Sequence, residues 1–139
     1  MTAPKPPQKT PQKISKKILM IDDETDIQTV ARIGLTMMKD WQVSTANSGR
    51  EGIQQAKSHL PDVILLDVMM PDMDGLATLK ALKSDAVTRP IPVIFLTAKS
   101  QAVNRRQFYE LGAQGVIHKP FDPTTLASQI SGFLGWPDF

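Results

Sequence analysis

Short apolar runs alternate with segments whose apolar residues return every three or four positions, and this alternation constrains the chain more than any other feature. Ile18-Leu19-Met20-Ile21 reads as a short buried strand ending in Asp22-Asp23. Ile27, Val30, Ala31, Gly34, Leu35 and Met38 follow at helical spacing and predict one apolar helix face. Trp41, Val43 and Thr45 alternate with polar neighbours, as in a half-exposed strand. Ser48 and Glu51 have capping-box spacing, and Ile53 and Ala56 continue a second helix. Asp62 to Asp67 is a continuous apolar strand framed by acids; Pro71 stops it, and Gly75 opens a third helix carrying Leu76, Leu79 and Leu82. A fourth strand is predicted over Ile91 to Thr97, with Pro92 near its start, where a missing N–H is tolerated. A fourth helix is predicted from Gln101 to Leu111, with Gly112 just past its end. Gly115 to Lys119 is a short fifth strand. Asp122-Pro123 then has the pattern of an N-cap with proline at the first helical position. Leu126, Ile130, Phe133 and Leu134 give the final helix its apolar face.

Five β-α units in succession argue for an α/β fold, a doubly wound five-stranded parallel sheet with helices on both faces. The strands at Ile18, Val63 and Val93 are apolar throughout, so they belong in the centre, covered on both sides. The strand at Trp41 alternates and that at Gly115 is short, so these suit the edges, and the predicted order is 2-1-3-4-5. In such a sheet ligands bind beyond the carboxyl ends of the strands, where the order reverses, here between strands 1 and 3.

The 139 residues are one domain's worth of chain. The absence of cysteine excludes disulfides, thiolate metal sites and cysteine nucleophiles, and agrees with a reducing, cytoplasmic setting. No uninterrupted apolar run is longer than Val63 to Leu66, too short to cross a bilayer, and no apolar stretch follows the early lysines in the manner of a secretory signal. The net charge of +2 divides unevenly, because residues 1–17 carry +5 and the remainder −3. Residues 1–16 read as a disordered Pro/Lys-rich tail, 17–135 as the folded domain and 136–139 as a C-terminal extension. The tail has no arginine or aromatic residue to stack on bases, so a solubilising leader is expected rather than a nucleic-acid arm.

The predicted strand ends form a chemical set. Strand 1 ends in Asp22 and Asp23, strand 3 in Asp67, strand 4 in Thr97 and strand 5 in Lys119. Three carboxylates sharing one pocket repel, which raises the pKa of at least one unless a cation relieves them. Magnesium accepts a few carboxylates and leaves positions for phosphate oxygens. A lysine and a hydroxyl add donors for an anion. Any one of these residues alone would be a solvated loop residue or a cap; their joint placement points to a metal plus a phosphoryl group.

With these residues the chain resembles the receiver domain of two-component response regulators, of the single-domain chemotaxis-regulator type. The resemblance is carried by Asp22-Asp23-Glu24, by Asp67 to Gly75 with Met69, Pro71 and Asp74, by Leu96-Thr97-Ala98-Lys99, and by Lys119-Pro120-Phe121. It covers about residues 17–135 and implies a flavodoxin-like fold. It further implies that Asp67 is the phosphoacceptor, receiving a phosphoryl group from a phosphohistidine. Asp23, Asp67 and the Met69 backbone carbonyl would bind Mg²⁺, with Asp22 acting through a metal-bound water. Lys119 would pair with a phosphoryl oxygen, the Lys119–Pro120 bond would be cis, and the Thr97 hydroxyl would move toward the phosphoryl group as the switch. Met69 and Lys99 would tune how fast water removes that group.

One departure is Val116, where many receivers carry a tyrosine or phenylalanine, so the loop after Thr97 is expected to read out the switch. The surface of the fourth helix and fifth strand, with Arg105, Arg106 and Phe108, is where the family usually meets partners. His59 and His118 are expected at the surface, and Trp136, Pro137 and Phe139 are expected to fold back or fray. The expected function is a stand-alone receiver, without an output domain, serving a sensor histidine kinase or phosphotransfer protein upstream and a protein target downstream. No direct DNA contact, no membrane and no enzymatic turnover beyond its own phosphorylation and dephosphorylation are expected. The alternative is a receiver-like binding module that is never phosphorylated. A haloacid-dehalogenase-type phosphatase would want an acid where Met69 stands, and a flavin-binding domain would want Ser, Thr or Gly where Asp22-Asp23-Glu24 stands.

Overall fold

The computed structural model describes residues 15–98 and 105–137. Its elements follow the predicted alternation: β1 (Lys17–Ile21), α1 (Thr25–Lys39), β2 (Gln42–Ala46), α2 (Gly49–His59), β3 (Val63–Asp67), α3 (Gly75–Ser84), β4 (Val93–Ala98), α4 (Arg105–Glu110), β5 (Gly115–Lys119) and α5 (Leu126–Leu134). The five strands form one parallel sheet in the order β2-β1-β3-β4-β5. The Lys119–Pro120 peptide is cis.

Alternation along each strand divides the core into two layers. Leu19, Ile21, Ile64, Leu66, Val93, Phe95 and Val116 face α2, α3 and α4 and pack with Ala56, Leu79, Leu82 and Phe108. Ile18, Met20, Val63, Leu65, Ile94, Leu96 and Ile117 face the opposite side, where α1 and α5 supply Ala31, Leu35, Leu126, Ala127 and Ile130. The central strands are buried on both faces, as their unbroken apolar runs require, whereas β2 keeps an exposed side in the alternating pattern of its sequence.

Helix ends follow local chemistry. Ser48 Oγ accepts the Glu51 N–H at 3.2 Å, and Glu51 reaches back to the N–H of Asn47 at 3.1 Å, one residue earlier than an ideal capping box. Gly112 follows α4 with φ of 107° and donates to the Tyr109 carbonyl at 3.0 Å.

Several expectations need correction. Val30 and Met38, placed on the buried face of α1, are exposed, because the core takes only the narrow stripe of Ala31, Gly34 and Leu35. Asp122 does not cap α5. Its side chain closes a turn by accepting from the N–H and hydroxyl of Thr124, and α5 begins three residues past Pro123, at Leu126. Phe133 is partly exposed and lies over Gly115 rather than in the core. Phe108 is core rather than partner surface, its ring tilted against Phe95 with centroids 4.7 Å apart, while Arg105 and Arg106 are exposed. The predicted start of the fourth helix at Gln101 lies outside the described residues, as do Lys99, Phe139 and most of the basic tail.

Trp136 folds back, with its ring edge-on to Trp41 at 5.6 Å and the Lys16 ammonium over its face at 4.5 Å. Gly34 marks where α1 meets the segment leading into α5, since a Cβ there would run into the carbonyl and ring of Pro123. Alanine normally gains about 1 kcal/mol over glycine inside a helix. Gly34→Ala is instead expected to destabilise the domain by about 1–3 kcal/mol in urea unfolding, because overpacking outweighs propensity.

Candidate functional site

The carboxyl ends of the strands bring the predicted residues together. Asp67 is the last residue of β3, and Asp22 follows β1 with its N–H bonded to the Ala46 carbonyl at 3.1 Å. Both are buried, Asp67 at 3% and Asp22 at 0% exposure. Lys119 ends β5 on the far side of β4 and spans the pocket: its Nζ lies 2.8 Å from Asp22 Oδ2 and 3.2 Å from Asp67 Oδ1. Thr97 lies in β4, fully buried, paired in register with His118. Asp23 is exposed at the rim, and Met69 is exposed beside Asp67, donating its N–H to Asp67 Oδ1 at 3.3 Å.

Backbone packing sets the position of Asp67. Asp74 caps α3 by accepting the Ala77 N–H at 2.8 Å, and the Gly75 N–H returns to the Val68 carbonyl at 2.9 Å. This presses the start of α3 against the Asp67 main chain, where a Cβ on residue 75 would collide with the Asp67 carbonyl, so only glycine fits.

Two contributors were not assigned from sequence. Glu24 places Oε1 3.1 Å from Lys119 Nζ, and its N–H donates to Asp22 Oδ1 at 2.9 Å. The third acid of the Asp22-Asp23-Glu24 run was its only signal. Gln28 is buried on α1 and donates to the Asp22 carbonyl at 2.6 Å and to Asn47 Oδ1 at 2.7 Å, tying the acidic turn to the loop after β2. Nothing in a lone glutamine marks that role.

The histidines divide. His59 is exposed. His118 is half-buried: Nε2 faces Arg105 Nη2 at 2.7 Å, and Nδ1 is buried without a hydrogen-bond partner. Arginine can only donate, so Nε2 is the acceptor in this contact.

The electrostatics are those of a pocket short of positive charge. Burial raises Asp67, the neighbouring Asp22 charge raises it further, Lys119 opposes both, and the carboxyl is pushed up to about 6. Burial also raises Asp22, against the bonds from Lys119 and the Glu24 N–H. For Lys119, burial works to lower the pKa, but its pairing with Asp22 and attraction to Asp67 win and hold it above the ordinary value. Carboxylate oxygens of Asp22, Asp23, Glu24 and Asp67 lie within 4.8 Å of one another. Asp67 Oδ2 is buried without a hydrogen-bond donor. Hard oxygen donors, excess negative charge and an orphaned buried oxygen together fit a divalent cation such as Mg²⁺.

A doubly wound parallel sheet with two buried carboxylates and a lysine converging at its strand ends defines a class of α/β domains with an acidic pocket at the switch point. Comparison narrows the class: the model of the response regulator receiver domain matches residues 18–131, and the chain belongs to that family. Receiver domains are signalling domains that work by phosphorylation and bind Mg²⁺ at an acidic pocket. The chain is 35% identical over 121 residues to the alkaline phosphatase synthesis transcriptional regulatory protein PhoP of Bacillus subtilis, covering 87% of this chain and 49% of that one. It is 39% identical over 117 residues to the response regulator PleD of Caulobacter vibrioides, covering 84% of this chain and 26% of that one. The chain thus spans half or less of these curated relatives. The chemotaxis protein CheY4 of Vibrio cholerae superposes with a TM-score of 0.78 at 30% identity, covering 86% of this chain and 98% of that one. A receiver domain of a signal transduction histidine kinase from Syntrophus aciditrophicus gives 0.75 at 32% identity, covering 87% and 91%. No helix among the described residues is long and apolar enough to cross a membrane.

The raised Asp67 pKa has a stability consequence with a definite sign. The folded state holds this proton more tightly than the unfolded state, whose carboxyl titrates near 3.8, so stability falls as pH rises from there through about 6. Asp67→Asn keeps the shape and an oxygen for Lys119 but removes the charge. Without divalent cations it is expected to stabilise the domain by about 1–3 kcal/mol at about pH 7.5, and by much less at about pH 4, in parallel urea titrations.

Proposed function

We propose that this domain accepts a phosphoryl group on Asp67 from a phosphohistidine of a sensor histidine kinase or phosphotransfer protein. It then signals by phosphorylation-dependent protein binding or by passing the group onward. The observation that carries this reading is the convergence of two buried carboxylates, Asp22 and Asp67, on the Lys119 ammonium at the strand ends.

Phosphoryl transfer passes through a loose transition state, so a protein catalyses it by positioning groups and neutralising charge. Asp67 is the nucleophile: its Oδ1 keeps the Met69 N–H and Lys119 as partners, while Oδ2 has no donor to give up. Lys119 neutralises charge on the phosphoryl oxygens. Thr97 supplies the hydroxyl that follows the phosphoryl group, and its movement is the switch. Asp23, Asp67 and the Met69 carbonyl would hold Mg²⁺, with Asp22 one water removed. When bound, Mg²⁺ supplies charge neutralisation that a single lysine cannot. Val116 on β5 is buried, in register with Phe95 on β4 and in the same core layer as Phe108, which favours a readout through the loop after Thr97 over movement of strand 5.

Intact mass after incubation with phosphoramidate and Mg²⁺ tests the reading. One phosphoryl adduct is expected on the wild type, and none on Asp67→Asn or without Mg²⁺; an unmodified wild type would favour the binding module that is never phosphorylated. Met69 lies exposed at the mouth of the pocket, where its flexible apolar side chain screens the phosphorus from water. Met69→Asn is expected to lose the phosphoryl group several-fold faster than wild type when the adduct is followed over time, and equal rates would remove Met69 from that role.

A further inference from the structure

The Lys119 ammonium has three N–H donors, and three carboxylates surround it: Asp22 at 2.8 Å, Glu24 at 3.1 Å and Asp67 at 3.2 Å. Asp22 Oδ2 has only the ion pair, whereas Glu24 accepts a hydrogen bond, so a phosphoryl oxygen that needs the donor aimed at Glu24 must displace it. Asp22 and Asp67 are walls of the pocket, held by strand ends and buried. Glu24 differs in kind. Its side chain is 58% exposed and makes no capping bond to α1, whose N-cap position it occupies. It reaches Lys119 across 95 residues of sequence from the solvent side of the pocket.

We propose that Glu24 is a displaceable stand-in for the phosphoryl group, holding a donor of Lys119 until a phosphoryl oxygen takes it. The proposal rests on Asp67 being the phosphoacceptor. With phosphoramidate, an Asp67 oxygen forms the bond to phosphorus, the P–N bond breaks and the nitrogen leaves as ammonia. A phosphoryl oxygen then accepts the Lys119 N–H that Glu24 releases, and the Glu24 carboxylate turns to water with its charge intact. Releasing Glu24 opposes phosphorylation, but only modestly, because an exposed ion pair is weak. The arrangement keeps Lys119 aimed and charge-paired in the unphosphorylated domain at little cost to the reaction.

Glu24→Asp provides the decisive variant, because it keeps the charge and withdraws the reach. Glu24→Gln removes the charge, and Asp26→Asn removes an exposed charge two residues away that does not touch Lys119. The full chain is treated with phosphoramidate at Mg²⁺ concentrations that saturate each variant, and adduct formation is timed by mass. Both Glu24 variants are expected to phosphorylate about 2- to 5-fold faster than wild type, the factor an exposed ion pair allows, with Asp26→Asn unchanged. In Mg²⁺-free nitrogen-15 spectra, the Lys119 ammonium protons are expected to exchange with water faster in both Glu24 variants.

Acceleration in Glu24→Gln and Asp26→Asn but not in Glu24→Asp would overturn the proposal in favour of net charge alone. Unchanged rates, or slower ones, in the Glu24 variants would overturn it as well. A wild type that takes no phosphoryl group would overturn both this and the phosphoacceptor reading, whereas a wild type phosphorylated on Asp67 with silent Glu24 variants would overturn this proposal alone.

Discussion

Lys119 closes the pocket electrostatically. Its ammonium joins the carboxyl ends of three strands, reaching from β5 past β4 to Asp67 on β3 and to Asp22 beyond β1. Two carboxylates as buried as these would not stay ionised without it, and even with it Asp67 rises to about 6. The surrounding structure serves this contact: Gln28 and the Ala46 carbonyl hold the acidic turn, the start of α3 braces Asp67, and Asp22 and Asp67 bring the lysine to one point.

The pocket is left in deficit. Four acids cluster, three of them on one lysine, and one buried oxygen of Asp67 has no donor. Such an arrangement would be a fault in a purely structural site, because an unpaired buried charge is costly. Under the proposed function, which recruits a divalent cation and then a phosphoryl group, the deficit would be the source of affinity. The same logic separates the acids. Asp22 and Asp67 are fixed and desolvated, whereas Asp23 and Glu24 stand at the rim where they can rearrange.

Much of this was legible in the chain. Strand order followed from which apolar runs were continuous and which alternated or were short, because burial on two faces and on one face leave different patterns. The positions of Asp22, Asp67, Thr97 and Lys119 followed from strand ends, since parallel strands deliver their carboxyl ends to one edge. Errors arose where a periodic pattern was wider than the surface available. α1 carries apolar residues around more of its circumference than the core covers, so Val30 and Met38 remain in solvent. Asp122-Pro123 has the local signature of a helix start, but Thr124 captures the aspartate and delays the helix. Phe108 looked like surface beside two arginines and proved to be core, because Phe95 stands opposite it.

By itself, the sequence determined the alternation of strands and helices, the order of the sheet and the set of residues gathered at its carboxyl edge. These depend on periodicity and on chemistry carried by individual residues, which a linear pattern records. Tertiary structure alone decided the partners across long separations. Lys119 is divided among Asp22, Glu24 and Asp67, Gln28 is linked to Asn47, Trp136 is laid on Trp41, and Gly34 is pressed to Pro123. Such contacts depend on distances and on exclusion of water in three dimensions. A residue's identity states what it can bond; only the packed chain states which bond it makes.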